Sequence, residues 1–249
     1  MIIIKNNKEI DLMRSAGRIV AETLLLVEEK VRPGITTAEI DRIAEEFITK
    51  HGAKPSFKGL YGFPASLCIS VNEQVVHGIP GGYVLKDGDI VSVDCGAYLN
   101  GFHGDAARTF AVGNVSEEAN KLIKVTEQSF FKGIEYAKVG NRLTDISHGI
   151  QSYIETLGFA VVRDFVGHGI GRVVHEDPDV PNFGKPGRGP KLAQGMALAI
   201  EPMVNLGSYK VKTLNDDWTV VTSDGSLSAH YENTIVILPD GPEILTLIK

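Results

Sequence analysis

Cysteine is scarce: Cys68 and Cys95 are the only two in 249 residues, they lie far apart, and no C-x-x-C spacing occurs. That argues against a disulfide scaffold and fits a reducing cytoplasm, with two buried thiols, one of them near a pocket. Basic residues are not in excess either. With 25 Lys and Arg against 31 Asp and Glu, the net charge is −6. There is no electrostatic footprint for DNA or RNA, and the short lysine clusters read as solvated faces. Long apolar runs are missing. MIIIKNNKEI turns polar after four apolar residues, too few for a signal-peptide core, and no run approaches membrane-spanning length. Low-complexity linkers are absent, and the Pro/Gly-rich PNFGKPGRGP (181–190) reads as a surface loop. The length fits one large α/β or α+β domain, or two small fused halves.

What the chain does contain is punctuated helices and an internal repeat. Asn6 with Glu9 predicts a capping box opening a helix whose apolar face is Ile10, Met13, Val20, Leu24 and Val27, ended by Pro33-Gly34. Thr36 with Glu39 opens a second helix, closed by Gly52. Ser116 precedes a third, running to Gly140, and Thr144 precedes a fourth, ending at Gly158. Laying VRPGITTAEIDRIAEEFITKHG over AKVGNRLTDISHGIQSYIETLG matches Gly34 to Gly140, Ile40 to Ile146 and Gly52 to Gly158, each at an offset of 106. LKDGDIVSVD over LAQGMALAIE then matches Leu85 to Leu192, Gly88 to Gly195 and Asp94 to Glu201, at an offset of 107. A carboxylate ends each copy. Amphipathic patterning alone generates some such matches, but two copies related by a pseudo-twofold axis would bring the carboxylates together in a central cleft.

The first copy continues into a hairpin. Asn100-Gly101 is a type I′ turn signal between strand-like runs. With those two residues as the loop, Leu99 faces Phe102 and Asp94 faces Ala107. Asp105 then shares a sheet face with Asp94 as its diagonal neighbour. Arg108, the nearest basic residue, falls on the opposite face. Two carboxylates so placed repel unless a cation lies between them, although a solvated hairpin face or distant salt bridges also account for the pair. In the second copy Glu201 and Glu232 are 31 residues apart, against 11 for Asp94 and Asp105. The interval is a strand-rich excursion with an Asp224-Gly225 turn signal and Trp218, the only tryptophan.

Histidines add nitrogen to these carboxylates. His168 lies between glycines in VGHGIG, where a ligand can approach closely. An imidazole among four carboxylates suits borderline to hard divalent ions such as Mn, Fe, Co or Zn. His175 is seven residues on, and His77 in VVHGIP suits a strand end. Each fits a proton donor or oxyanion stabiliser, and each fits a structural hydrogen bond. His103 and His230, two residues before Asp105 and Glu232, fit a supporting position behind a ligand or a place on the rim. Leu60, Phe63 and Cys68, with Trp218, fit an apolar pocket wall or ordinary core.

The motifs CISVNEQVVHGIP, VSVDCGAYLNGFHGDAARTF, GHGIGRVVHEDP, AIEPMV and SLSAHYENTIVI, in this order, closely resemble the type I methionine aminopeptidases. The resemblance covers nearly the whole chain. It implies an α+β pita-bread fold, one catalytic domain over residues 1–249 with halves of about 1–112 and 113–249, and a central dinuclear centre. Asp94, Asp105, His168, Glu201 and Glu232 would hold two divalent metal ions (Co, Mn, Fe, Zn or Ni), with Asp105 and Glu232 bridging. A metal-activated water would attack the first peptide carbonyl while Glu201 relays its proton. His175 would stabilise the oxyanion, and His77 would contact the scissile amide. The substrate's α-amine would bind one metal. Phe57, Leu60, Phe63, Cys68, Val174 and Trp218 match the methionine side-chain pocket, with Leu60 and Val174 standing where many members carry an aromatic.

The resemblance further implies removal of the N-terminal methionine from nascent chains whose second residue is small, by a monomer. Lys210 and Lys212 are candidates for transient ribosome contact. The rivals are an Xaa-Pro peptidase on the same fold, a binding module that lost its chemistry, and a carboxylate cluster holding a structural cation. The first usually carries an additional N-terminal domain, whereas here the catalytic region is expected to start near Met1. The second would lack one of the seven metal and catalytic residues, and all seven are present. The third leaves His77 and His175 without a task.

Overall fold

The computed structural model describes residues 1–248; Lys249, the last residue of the expected domain, lies outside the described residues. Two helices open each half. Before α1 (Asn7–Lys30), the Asn6 side chain accepts from the Glu9 N–H (3.1 Å) and the Glu9 carboxylate accepts from the Asn6 N–H (3.0 Å). The expected apolar face, from Ile10 to Val27, is buried. Thr36 caps α2 (Thr37–Lys50) through the Glu39 N–H. Strands β1 (Lys54–Pro55), β2 (Leu67–Val71) and β3 (Gln74–Val76) follow, then the hairpin β4 (Ile90–Leu99) and β5 (Phe102–Ala111).

The second half holds α3 (Glu117–Ile134), α4 (Leu143–Thr156), β6 (Ala160–Val161), β7 (Gly167–Gly169) and β8 (Glu176–Val180). It continues with β9 (Ala197–Ile200), β10 (Met203–Asn205), β11 (Val211–Thr213), β12 (Val220–Thr222), β13 (Ser228–His230), β14 (Asn233–Leu238) and β15 (Gly241–Ile244). Two expected helix boundaries are corrected. α3 ends at Ile134, and turns rather than helix lead to Gly140. α4 starts before Thr144, because the Asp145 carboxylate accepts from the Arg142 N–H (2.8 Å) and frees Thr144 to bond the Arg188 backbone. The repeat itself carries this: the offset of 106 takes Thr36 to Arg142.

The two copies match bond for bond. Gly34 N–H donates to Leu85 O (2.8 Å) and Gly140 N–H to Leu192 O (2.9 Å); Leu85 N–H returns to Ile35 O (2.9 Å) and Leu192 N–H to Asn141 O (2.8 Å). Isolated bridges pair Thr36 with Val84 and Arg142 with Lys191. Gly34 and Gly140 have φ of +92° and +93°, a conformation glycine adopts without a Cβ penalty.

All strand pairing is antiparallel. One main sheet runs β1-β4-β2 with β5 on β4, and the other runs β15-β14-β9-β7-β8. Alternation sorts the side chains of each sheet. Val91, Val93 and Cys95 of β4 join Val20, Leu24, Ile40 and Ile48 from the helices in one core, so Asp94 takes the other face. Leu198 and Ile200 of β9 likewise join Phe130, Ile146 and Ile150, which turns Glu201 away from that core. The sheets meet where β5 and β14 run side by side. Ala107 and Glu232 exchange backbone hydrogen bonds (3.3 and 3.0 Å), and the Thr234 hydroxyl joins both backbone groups of Asp105 (3.0 and 2.9 Å). This is the α+β pita-bread architecture, and its seam is lined with carboxylates. Among the described residues no helix is long and apolar enough to cross a membrane.

Candidate metal centre and peptide cavity

The hairpin register is the one that the Asn-Gly turn predicts. Asn100 and Gly101 have φ of +51° and +90°, Leu99 pairs with Phe102, Asp94 with Ala107 and Gly96 with Asp105. The two aspartates are therefore diagonal neighbours on the face away from the helices. Arg108, opposite Val93, gives them no counter-charge. Its guanidinium donates instead to the carbonyls of Ala107 (2.8 Å) and Glu232 (2.6 Å) and to Asn233 Oδ1 (2.7 Å), stacked 4.3 Å from the Tyr231 ring centre.

From the second half, Glu201 follows Ile200 and Glu232 precedes Asn233, the residue paired with Ile200. His168, on β7 beside Ala199, places Nε2 3.7 Å from Glu201 Oε1 and 4.0 Å from Asp105 Oδ2. Its Nδ1–H donates to Gly169 O (2.9 Å), which leaves the Nε2 lone pair for a ligand. Ligand atoms of Asp105, His168 and Glu232 all lie within 4.8 Å of one another. Asp94 Oδ1, Asp105 Oδ1 and Glu232 Oε1 are buried without a hydrogen-bond partner among the described residues.

Electrostatics in this cluster favour a cation. Burial pushes the Asp94 carboxyl up to about 7 and the Glu201 carboxyl up to about 8. Burial, then repulsion from the neighbouring carboxylates, also lifts Asp105 and Glu232 well above the usual carboxylate range. Burial holds the His168 imidazole down at about 4, so it is neutral and able to ligate. Orphaned carboxylate oxygens around one free imidazole nitrogen fit a borderline to hard divalent ion, whose charge would reverse the carboxyl shifts.

A cavity of about 520 Å³ opens above the cluster. Asp94, Asp105, His168, Glu201 and Glu232 form one part of its lining, and Phe57, Leu60, Phe63, Cys68 and Trp218 form another. Val174, the remaining expected pocket residue, is packed with Phe57, Phe63 and Cys68 in the apolar cluster at the wall rather than on the lining. Trp218 meets Phe63 edge-on at 5.0 Å. Cys68 lies opposite Asp94 in the sheet, and both cysteines are free and buried. His77 follows the end of β3 with φ +58°, a costly conformation outside glycine, and stands edge-on to Phe165 (5.6 Å) and Trp218 (6.4 Å). His175 packs edge-on against His168 at 4.5 Å. Burial lowers both: His77 to about 4, His175 less strongly.

Other residues fall where local sequence carries no clear pointer. His103 turns to Ser56 Oγ (2.8 Å) and the Tyr98 ring, away from the cavity. His230 is no rim residue: it is fully buried against Glu201 and Glu232. Tyr61, 75% exposed and at φ +51°, stacks its ring 5.9 Å from His175. Its place between Gly59 and Gly62, both at positive φ, was the available signal. Asn182, inside the expected surface loop, is completely buried and donates to Glu201 O (2.9 Å). Nothing in the Pro/Gly-rich composition marks it.

The fold and the cluster together define a metal-dependent hydrolase of the peptidase class. Residues 11–239 match metallopeptidase family M24, and the chain belongs to that family. It is 79% identical over 249 residues to the methionine aminopeptidase of Clostridium perfringens (strain 13 / Type A), covering all of both chains. The crystal structure of methionine aminopeptidase from Rickettsia prowazekii superposes with a TM-score of 0.98 at 45% identity, covering 99% of this chain and 100% of that one. Prolidase from Pyrococcus furiosus has a TM-score of 0.80 at 23% identity, over 99% of this chain and 66% of that one, a likeness of fold alone.

Proposed function

We propose that this chain is a metal-dependent aminopeptidase that removes the N-terminal methionine of nascent proteins and peptides when the second residue is small. The observation that carries this is a carboxylate and imidazole cluster, with three orphaned carboxylate oxygens, at an apolar cavity of about 520 Å³. Asp94, Asp105, His168, Glu201 and Glu232, drawn from both sides of the seam, would hold two divalent ions. Bound there, the ions supply Lewis acidity and a water nucleophile at neutral pH.

The remaining steps fall to the chain's own groups. Glu201, on the lining of the cavity, takes the proton of the attacking water and returns it to the leaving nitrogen. His175 donates its N–H to the developing oxyanion, and His77 to the scissile amide. Both are held neutral by burial, so each carries one proton to donate and adds no charge beside the cage. Phe57, Leu60, Phe63, Cys68 and Trp218 enclose the methionine side chain, with Val174 packed against this wall, and the sulfur gains from aromatic edges. A bulky second residue would meet the rim near Tyr61 and His175.

We read residues 1–249 as one catalytic unit, with halves near 1–112 and 113–249, because the proposed ligands come from both sides of the seam. The scarcity of cysteine supports a cytoplasmic protein. The exposed Lys210 and Lys212 are offered as transient ribosome contacts, and unchanged ribosome co-sedimentation after reversing both charges would remove that part. The main test is release of methionine from Met-Ala-Ser by metal-stripped protein with and without Mn, Fe or Co. Release only with metal is expected. Inactivity on that peptide beside cleavage of an Xaa-Pro substrate would overturn the assignment.

A further inference from the structure

His230 is the one imidazole beside the carboxylate cluster to which the preceding reading gives no task. Its ring is 1% exposed. Nε2 has no hydrogen-bond partner among the described residues, yet it stands between two carboxylates, 3.6 Å from Glu201 Oε2 and 3.9 Å from Glu232 Oε2. The backbone beneath it is fixed from the other half of the molecule: the Thr109 hydroxyl donates to His230 O (2.8 Å) and accepts from His230 N–H (2.9 Å). β13 also pairs His230 with Met203. The ring does not line the peptide cavity. His230 is instead among the residues lining a second cavity of about 360 Å³, together with Leu24 of α1, Glu127 of α3 and Arg108.

We propose that His230 is a positioning residue whose Nε2–H bridges the Glu201 and Glu232 carboxylates and holds Glu201 in the orientation that proton transfer requires. A neutral imidazole has one N–H, and facing two acceptors places it on Nε2. Closing the shorter contact by about half an ångström brings it into ordinary hydrogen-bond range. The ligand-forming set is already gathered without it: Asp105, His168 and Glu232 converge, and His230 is not among them. Its place behind the carboxylates is that of a group which orients ligands rather than binds metal. The proposal rests on Glu201 acting as the proton relay.

Glutamine and asparagine separate the possibilities. In His230→Gln the amide N–H₂ reaches the Nε2 position; in His230→Asn it reaches only the Nδ1 position. The expected result on Met-Ala-Ser is a fall in kcat of about 10- to 100-fold for His230→Asn with KM unchanged, most of it recovered by His230→Gln. Unchanged KM is specific to the proposal, because the ring does not face the peptide. Manganese affinity, measured by calorimetry on metal-stripped protein, should follow the same order, with His230→Gln above His230→Asn. If His230→Asn does not fold, His230→Leu, which lacks any donor, takes its place. Equal, wild-type kcat in all variants would overturn the proposal. So would an equal collapse of manganese affinity in His230→Gln and His230→Asn, the mark of a direct ligand. A Glu201→Gln variant run alongside keeps the two ideas apart: if it stays active, the relay role of Glu201 falls; if it is inactive while His230→Asn is not, only the role of His230 falls.

Discussion

The two halves start from the same plan and spend their chain differently. In the first, Asp94 and Asp105 are 11 residues apart on one hairpin, closed by a two-residue turn. In the second, Glu201 and Glu232 are 31 residues apart, and the interval folds into β10, β11, β12 and β13. Loop-closure cost grows only slowly with length, so the longer connection is tolerated. It also adds two things the hairpin lacks. Trp218, just before β12, walls the cavity, and β12 pairs Val220 with Val76 of β3, next to His77. The compact half supplies carboxylates and the Phe57, Leu60, Phe63 and Cys68 wall of the cavity, while the extended half supplies carboxylates, the Trp218 wall and a second tie between the halves.

The two halves should differ most at the matched carboxylates that end each copy. If both were only ligands, neutralising either would have the same effect. Because Glu201 is also assigned the proton, Glu201→Gln should lower kcat by about 10³-fold and stay low at any metal concentration. Asp94→Asn should lose less and recover part of its activity as manganese is raised. Equal losses, both rescued by metal, would reduce Glu201 to a ligand. Next in size is the excursion. Trp218→Ala removes the edge contact with Phe63 and should raise KM for Met-Ala-Ser about tenfold, with kcat nearly unchanged. Asn100→Ala, at the tip of the first-half hairpin, should leave KM alone, and a comparable rise there would mean that the pocket depends on the hairpin tip as much as on the excursion.

How much of this was readable depended on sequence distance. The first hairpin was legible because Asn100-Gly101 fixes its register, and register fixes which face Asp94 and Asp105 share. The repeat was legible through glycines that must sit at positive φ, and it placed Arg142 at the start of α4 better than the local Thr144 signal did. The seam was not legible. Ala107 and Glu232 are 125 residues apart, and no local pattern announces that their backbones exchange hydrogen bonds. His230 was ambiguous for the same reason, since its burial comes from packing between the halves. The roles of His77 and His175 came from the family resemblance, because spacing alone fits a structural histidine equally well.

A smaller effect is expected in the metal-stripped protein as pH rises. Asp94 and Glu201 have their carboxyls lifted by burial from 3.8 and 4.5 to about 7 and about 8. A folded-state pKa above the unfolded value contributes stability present at low pH and lost as pH climbs through the folded value. The buried His77, His168 and His230, held at about 4 against 6.5, act in the opposite sense, and their contribution is complete above about 6.5. Between pH 7 and 9 the carboxyls alone decide, so Tm of the stripped protein should fall by several degrees. Manganese-loaded protein should show little such fall, because the cation holds the carboxylates ionised. A flat Tm in the stripped form would mean that the cluster ionises without penalty and has no need of a cation.

The smallest effects test the symmetry itself. An added Cβ meets nothing within 4 Å at Gly34 or Gly140, so Gly34→Ala and Gly140→Ala should pay only for the left-handed backbone. Both should lose the same amount, about 1 to 2 kcal/mol in denaturant titrations. Gly88 and Gly195 are also matched, with φ of +95° and +84°, but their surroundings differ. At Gly88 the nearest atom is Asn114 O at 3.8 Å, whereas at Gly195 a Cβ would come within 2.5 Å of Lys5 O, in the segment before α1 that donates its Lys5 N–H back to Gly195 O (2.8 Å). Gly195→Ala should therefore exceed Gly88→Ala, because the N-terminal segment must shift to make room. Equal penalties at both pairs would mean that the segment yields freely, and that the halves differ less in packing than in the length of chain between their carboxylates.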